Sequence, residues 1–199
     1  MPATQNAHRN SQTSASDLGC FLDCLDLRLR HVWDDLSDFV QAANTVAQCE
    51  LNIDSEMYQK AVVSIHYRLV NLRFDTGNVH ETIRLALLAF ASTLFLQWCG
   101  VKIRYEYLTQ HLMIALSLLK HMPKAMPTNF TLWLHIVGAI SVFDGQERAR
   151  LRPAQVEVLR AMKLKSWDEV RLSLQSVLWL NVLHDSPAKQ MVDALLSEP

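Results

Sequence analysis

The sequence predicts an all-α chain, a single bundle of about seven to eight helices around one central apolar helix. Three observations predict it. No segment sustains the apolar–polar alternation of a half-buried strand, whereas apolar residues recur at steps of three and four along most of the chain. Glycine (5) and proline (6) are scarce in 199 residues, and few breakers favour long helices over the many turns of a β-sandwich. One stretch, Val79–Trp98, is apolar on nearly every side, which suits the middle of a bundle.

The totals fit one domain. Half of the residues are apolar (50%) and a fifth are charged (20%), with a mean hydropathy of +0.05. That balance belongs to a chain with a filled interior, and 22.7 kDa needs no more than one core. Residues 1–16, rich in Ser, Asn, Gln, Thr and Ala, read as a flexible polar tail. Residues 17–199 read as the single helical domain.

The helices follow in order. Leu18, Leu22, Leu25, Leu29, Val32, Leu36, Phe39, Ala43 and Val46 alternate steps of four and three, a heptad stripe on one helical face. Two readings fit it: a homodimer through the Leu18–Val46 face, or a long helix laid on the chain's own core. The second is preferred because the other helices also need covering. Asp54 or Ser55 then caps a helix whose buried stripe is Tyr58, Ala61, Val62, Ile65, Leu69 and Leu72, and Gly77 ends it. Asn78 and Glu81 have capping-box spacing for the central helix, and Gly100 closes that helix.

A fourth helix, near Tyr105–His121, carries Leu108, Leu112, Ala115, Leu116 and Leu119; Pro123 and Pro127 mark the loop after it. A fifth spans roughly Thr128–Phe143 and stops at the Asp144-Gly145 turn pair. Pro153 suits the first turn of a sixth, running to about Met162. Ser166 to Glu169 has capping-box spacing for a seventh, which carries Val170, Leu174, Val177 and Leu178 with Trp179 and Leu183 nearby. Ser186-Pro187 starts a short last helix. Leu85–Val101 and Ala125–Phe143 carry no charge, but polar residues and Pro127 interrupt them, so neither is expected to cross a membrane.

Little chemistry is concentrated anywhere. Nineteen basic against twenty acidic residues leave a net charge of -1, unlike the basic face of a DNA-binding domain. The densest basic run, Arg148, Arg150 and Arg152, reads as a solvated loop edge. Cys20, Cys24, Cys49 and Cys99 form no CxxC pair, and no apolar leader follows Met1. Free thiols in a reducing compartment are therefore expected. Cys20, Cys24 and His31 share a helical face without an evident fourth ligand, so no zinc site is assigned.

His66 and His111 lack a carboxylate at i+4. His135 reads as a hydrogen-bonded core histidine, and His184 as a cation at a helix C-terminus beside Asp185. No nucleophile elbow, phosphate loop or HExxH pattern is present. No catalytic, cofactor-binding or metal-ligating residue is expected, and no cofactor. Trp33, Trp98, Trp133, Trp167 and Trp179 suit core filling, with a ligand space between the Trp98, Trp133 and Trp179 helices as the sharper alternative.

Three segments carry a resemblance. Asn78 to Phe90 (NVHETIRLALLAF), Leu132 to Asp144 (LWLHIVGAISVFD), and Leu164 to Arg171 (LKSWDEVR) continuing to Leu178–His184 (LWLNVLH) are similar, in order and spacing, to stretches of fungal-specific transcription factor domains. The likeness covers about Val32 to His184. It implies a helical regulatory region that modulates transcription in the nucleus through partner proteins or a small-molecule effector. The zinc cluster of those regulators needs six closely spaced cysteines and a basic linker, and this sequence has neither. Direct nucleic-acid binding is therefore not implied. A free-standing chain without the cluster would be expected in the cytoplasm. Small-molecule sensing and a helical enzyme of unrecognised type are the competing function classes.

Overall fold

A computed structural model describes residues 17–49, 55–96, 105–119 and 126–197. Among them are nine helices and no strand. They are α1 (17–22), α2 (Leu27–Gln48), α3 (Ser55–Asn71), α4 (Val79–Leu96), α5 (Glu106–Leu118), α6 (Thr128–Ser141), α7 (Gly145–Ala161), α8 (Trp167–Gln175) and α9 (Asn181–Leu196). The polar tail, Asp54, Gly100 and Pro123 lie outside the described residues.

Two helices share the centre. α4 packs against α2, α3, α5 and α6, and every residue from Thr82 to Leu87 is buried. The apolar rod read from the sequence is thus internal. α6 was expected only as one helix among others, yet it packs against α4, α5, α7, α8 and α9 and buries Leu132 through Ile140 without a break. Gly138 makes the end of α6 compact. Its missing side chain leaves room for the Phe143 ring, which would stand 2.6 Å from a Cβ there. The backbone turns after Val142, with Phe143 N–H donating to the Gly138 carbonyl at 3.0 Å.

The Leu18–Val46 stripe is one face but not one helix. The chain breaks between α1 and α2, where the Asp26 carboxylate accepts the Arg28 N–H at 3.0 Å and caps α2. A short acidic side chain satisfies a helix-end donor better than it serves a helix interior. Much of the stripe lies on the chain's own core, in line with the preferred reading: Leu29 and Leu36 are 0% exposed, and Leu18, Leu22 and Val32 are buried with them. Leu25, Phe39 and Val46, on the same stripe, are half-buried.

Turn chemistry moves several boundaries. α3 ends at Asn71, so Gly77 does not terminate it. Gly77 (φ +86) instead lies in a turn closed by Asn78 N–H to the Asp75 carbonyl at 3.0 Å, just before α4. Asn78 caps α4 through His80 N–H, but Glu81 does not return the bond. Its carboxylate accepts Phe74 N–H and pairs with the nearly buried Arg84, whose guanidinium also donates to the Leu69 carbonyl near the end of α3. The residue with capping-box spacing is thus spent on joining two helices.

Asp144-Gly145 stops nothing for long: Asp144 and Glu147 form a reciprocal capping box that starts α7 directly. Pro153 consequently stands inside α7, and Pro187 likewise stands inside α9, neither in a first turn. α7 ends with Lys163 in the left-handed region (φ +56), and Leu164 N–H reaches back to the Leu159 carbonyl at 3.0 Å. That is the hydrogen-bond pattern usually closed by glycine.

The seventh predicted helix also divides. α8 stops at Gln175, and Val177–Leu180, all four buried, join it to α9 outside any helix. Buried backbone needs partners, and side chains from elsewhere supply them. The Trp133 indole donates to the Leu178 carbonyl, Asn44 Nδ2 donates to the Trp179 carbonyl at 2.8 Å, and Asn44 Oδ1 accepts Asn181 N–H at 3.0 Å. No helix among the described residues is long and apolar enough to cross a membrane.

Candidate functional site

The residues singled out from the sequence scatter, and most are absorbed by packing. Cys20, Cys24, Cys49 and His31 are exposed, and the Cys24 thiol donates to the Cys20 carbonyl at 3.3 Å. No group of three or more metal-ligating side chains occurs among the described residues. His66 and His111 each place Nδ1 2.8 Å from the carbonyl four residues back, and His111 stacks on Tyr107 at 3.8 Å. Cys99 and Trp98 lie outside the described residues.

Of the tryptophans between which a ligand space was considered, Trp133 and Trp179 are described, and aromatic rings pack around both. Trp133 sits in a ring cluster with Phe130 at 5.4 Å, Trp33 at 5.9 Å and Phe90 at 6.0 Å, and Phe21 packs on Phe130 at 5.2 Å. Trp133 is 0% exposed and Trp179 2%. The Trp179 indole donates to Asp185 at 2.8 Å, and Trp167 is half-buried. A shallow depression of about 390 Å³ runs beside Trp179, between α2 and the α8–α9 segment. Its amides already bond to one another and to the chain, as Gln175 to Asn181 at 2.8 Å and Asn44 to the Trp179 carbonyl show.

His184 is the strongest departure from its expected role. It stands in the first turns of α9, at the opposite end of a helix from the one expected, and is 0% exposed. The Thr93 hydroxyl donates to the Phe90 carbonyl at 2.7 Å, so it accepts from His184 Nε2, also at 2.7 Å. His184 Nδ1 accepts the Leu180 N–H at 3.3 Å. One donor and one acceptor are the complement of a neutral imidazole. Phe90 at 4.8 Å and Trp179 at 5.0 Å enclose the ring, and burial pushes its pKa down to about 3. A helix N-terminus also disfavours a cation. His184 is thus a locked, uncharged strut. Its neighbour Asp185 faces away, accepting from Arg171 at 2.9 Å and from Trp179.

An opening lies elsewhere, where α5, α6 and α7 meet. It is a cavity of about 540 Å³, within the range of small-molecule sites. Met113, Leu116 and Leu119 form the α5 wall, Thr128, Thr131 and His135 the α6 wall, and Leu151, Ala154, Val158 and Ala161 the α7 wall, with Met126 at one end. Two features hold it open. Pro153 and the small Ala154 and Ala161 keep the α7 side shallow, while Thr131 and His135 put shorter polar groups where α6 is otherwise apolar. Gln155 Nε2 ties the α7 backbone to the His135 carbonyl at 3.3 Å, which fixes the two helices at that spacing.

Sequence reading missed this site because its wall comes from three separated segments. Each alone reads as an ordinary amphipathic stripe. The available signal was a pair of adaptable methionines facing alanines and a proline in mid-helix. The basic run also resolves here. It lies on α7, not on a loop, and successive even positions diverge around the helix. Arg148 donates to the Phe143 carbonyl at 3.1 Å and Arg152 to the Ala194 carbonyl at 3.2 Å. Arg150 stands at the cavity mouth. Compared with protein-family models, curated proteins and solved structures, the chain matches none.

Proposed function

We propose that the chain is a non-catalytic regulatory module, of the kind found in fungal-specific transcription factor domains, that acts in the nucleus by holding a small-molecule effector between α5, α6 and α7. The observation that carries this reading is the 540 Å³ cavity itself, an apolar space walled by helices from three parts of the chain. An occupant there touches all three helices at once, so its presence would bias their packing and be felt at the surface. Supporting it, the buried imidazole and the core indoles are engaged in holding the fold, which leaves them to structure and not to chemistry.

A ligand that binds the folded chain alone stabilises it by mass action. In thermal unfolding of the full chain against a panel of apolar small molecules, some members are expected to raise Tm by a few degrees. Ala154→Trp, which fills the cavity from α7, should abolish those shifts. A panel that leaves the wild-type transition unmoved, or shifts both proteins alike, contradicts the proposal.

A further inference from the structure

The cavity has one charge that the rest of the fold does not use. Arg150 lines its mouth and makes no ion pair or hydrogen bond with any described residue, although its neighbours Arg148 and Arg152 are both tied to backbone carbonyls. Glu157, the acid at the same mouth, lies seven positions further along α7, about 10 Å away by helical rise. It is already engaged. The free charge beside the apolar space is therefore positive, and the far end of the mouth is negative.

From this we infer that the cavity's ligand is an amphipathic monoanion, a carboxylate on an aliphatic or aromatic body. The inference rests on the reading of the cavity as an effector site. The carboxylate meets the Arg150 guanidinium, whose fork of donors matches its two oxygens. The body lies along Met113, Leu116, Leu119 and Val158 and is removed from water there. Two methionines, Met113 and Met126, let the wall adjust to a body of irregular outline. Glu157 sets the limit on charge: a second negative group at the other end would face a carboxylate, so a dianion is disfavoured. A cationic head at the Arg150 end is disfavoured by like-charge repulsion.

The test compares three probes of one body and different heads, dodecanoate, dodecanol and dodecylammonium, each below its micelle concentration, by calorimetric titration of the full chain. Dodecanoate is expected to bind about tenfold more tightly than dodecanol, the scale of one charge-assisted hydrogen-bonded pair, and dodecylammonium most weakly. In Arg150→Gln, an exposed substitution that leaves the core alone, dodecanoate falls to the level of dodecanol while dodecanol itself is unchanged. Equal binding of acid and alcohol by the wild type, lost in Ala154→Trp, overturns the anion inference and leaves the effector site standing. Binding that Ala154→Trp does not weaken overturns both. If none of the three binds, the anion inference falls, and the wider panel decides the effector reading.

Discussion

At the scale of single residues, the side chains that sequence inspection marks as chemical are mostly spent on holding backbone. His184 is the clearest case. Its neighbours on the chain, Leu183 and Asp185, gave no hint of burial; the enclosure comes from Thr93, Phe90 and Trp179, two of them distant in sequence. The consequence is a pH dependence with a definite sign. With the folded pKa held down to about 3 and the unfolded value near 6.5, only the unfolded chain takes up this proton between those limits. Stability is therefore full above about pH 7 and falls as the pH drops through 6.5, by about 1.4 kcal/mol per unit. Urea unfolding at pH 7.5 and 5.5 should show that loss, and His184→Gln, which keeps a donor and an acceptor but does not titrate, should remove most of it. An unchanged slope in the variant would mean that His184 is protonated in the fold.

Among the elements, what was legible was periodicity, and what was not was competition for helix ends. The apolar rod of α4 and the stripes of α2, α3, α5 and α8 follow directly from residue spacing. The break before Asp26, the split at Val177–Leu180 and the early start of α7 do not, because each depends on which donor a polar side chain finds in three dimensions. Pro153 misled for a related reason: a proline marks a first turn only if no better cap lies upstream, and Asp144 is such a cap; Pro187 stands inside α9, which begins at Asn181 without a side-chain cap. The same logic changes what α2 does. Leu36 is 0% exposed against the chain's own core, so Leu36→Glu should cost more than about 4 kcal/mol by burying an unpaired charge. Circular dichroism should report lost helicity at 25 °C. A variant that stays folded and merely changes sedimentation would restore the dimer face.

As a whole molecule, the described residues form a bundle with two central helices and an open junction between α5, α6 and α7. α4 and α6 together exclude water from the aromatic cluster, and an opening lies where α5 and α7 flank the N-terminal half of α6. The fold class could be read from the chain because one-dimensional spacing determines which faces are apolar. The cavity could not, because a void is a property of how three faces fail to meet, and Met113, Thr131 and Ala154 reveal it only once they are neighbours. The most direct test is methyl NMR of Met113 and Met126 during titration with an apolar ligand that stabilises the chain. The account predicts that these two methyl resonances shift and saturate together, with the methyls of α2 and α9 unmoved. Shifts centred on α2 or α9, with Met113 and Met126 silent, would contradict it.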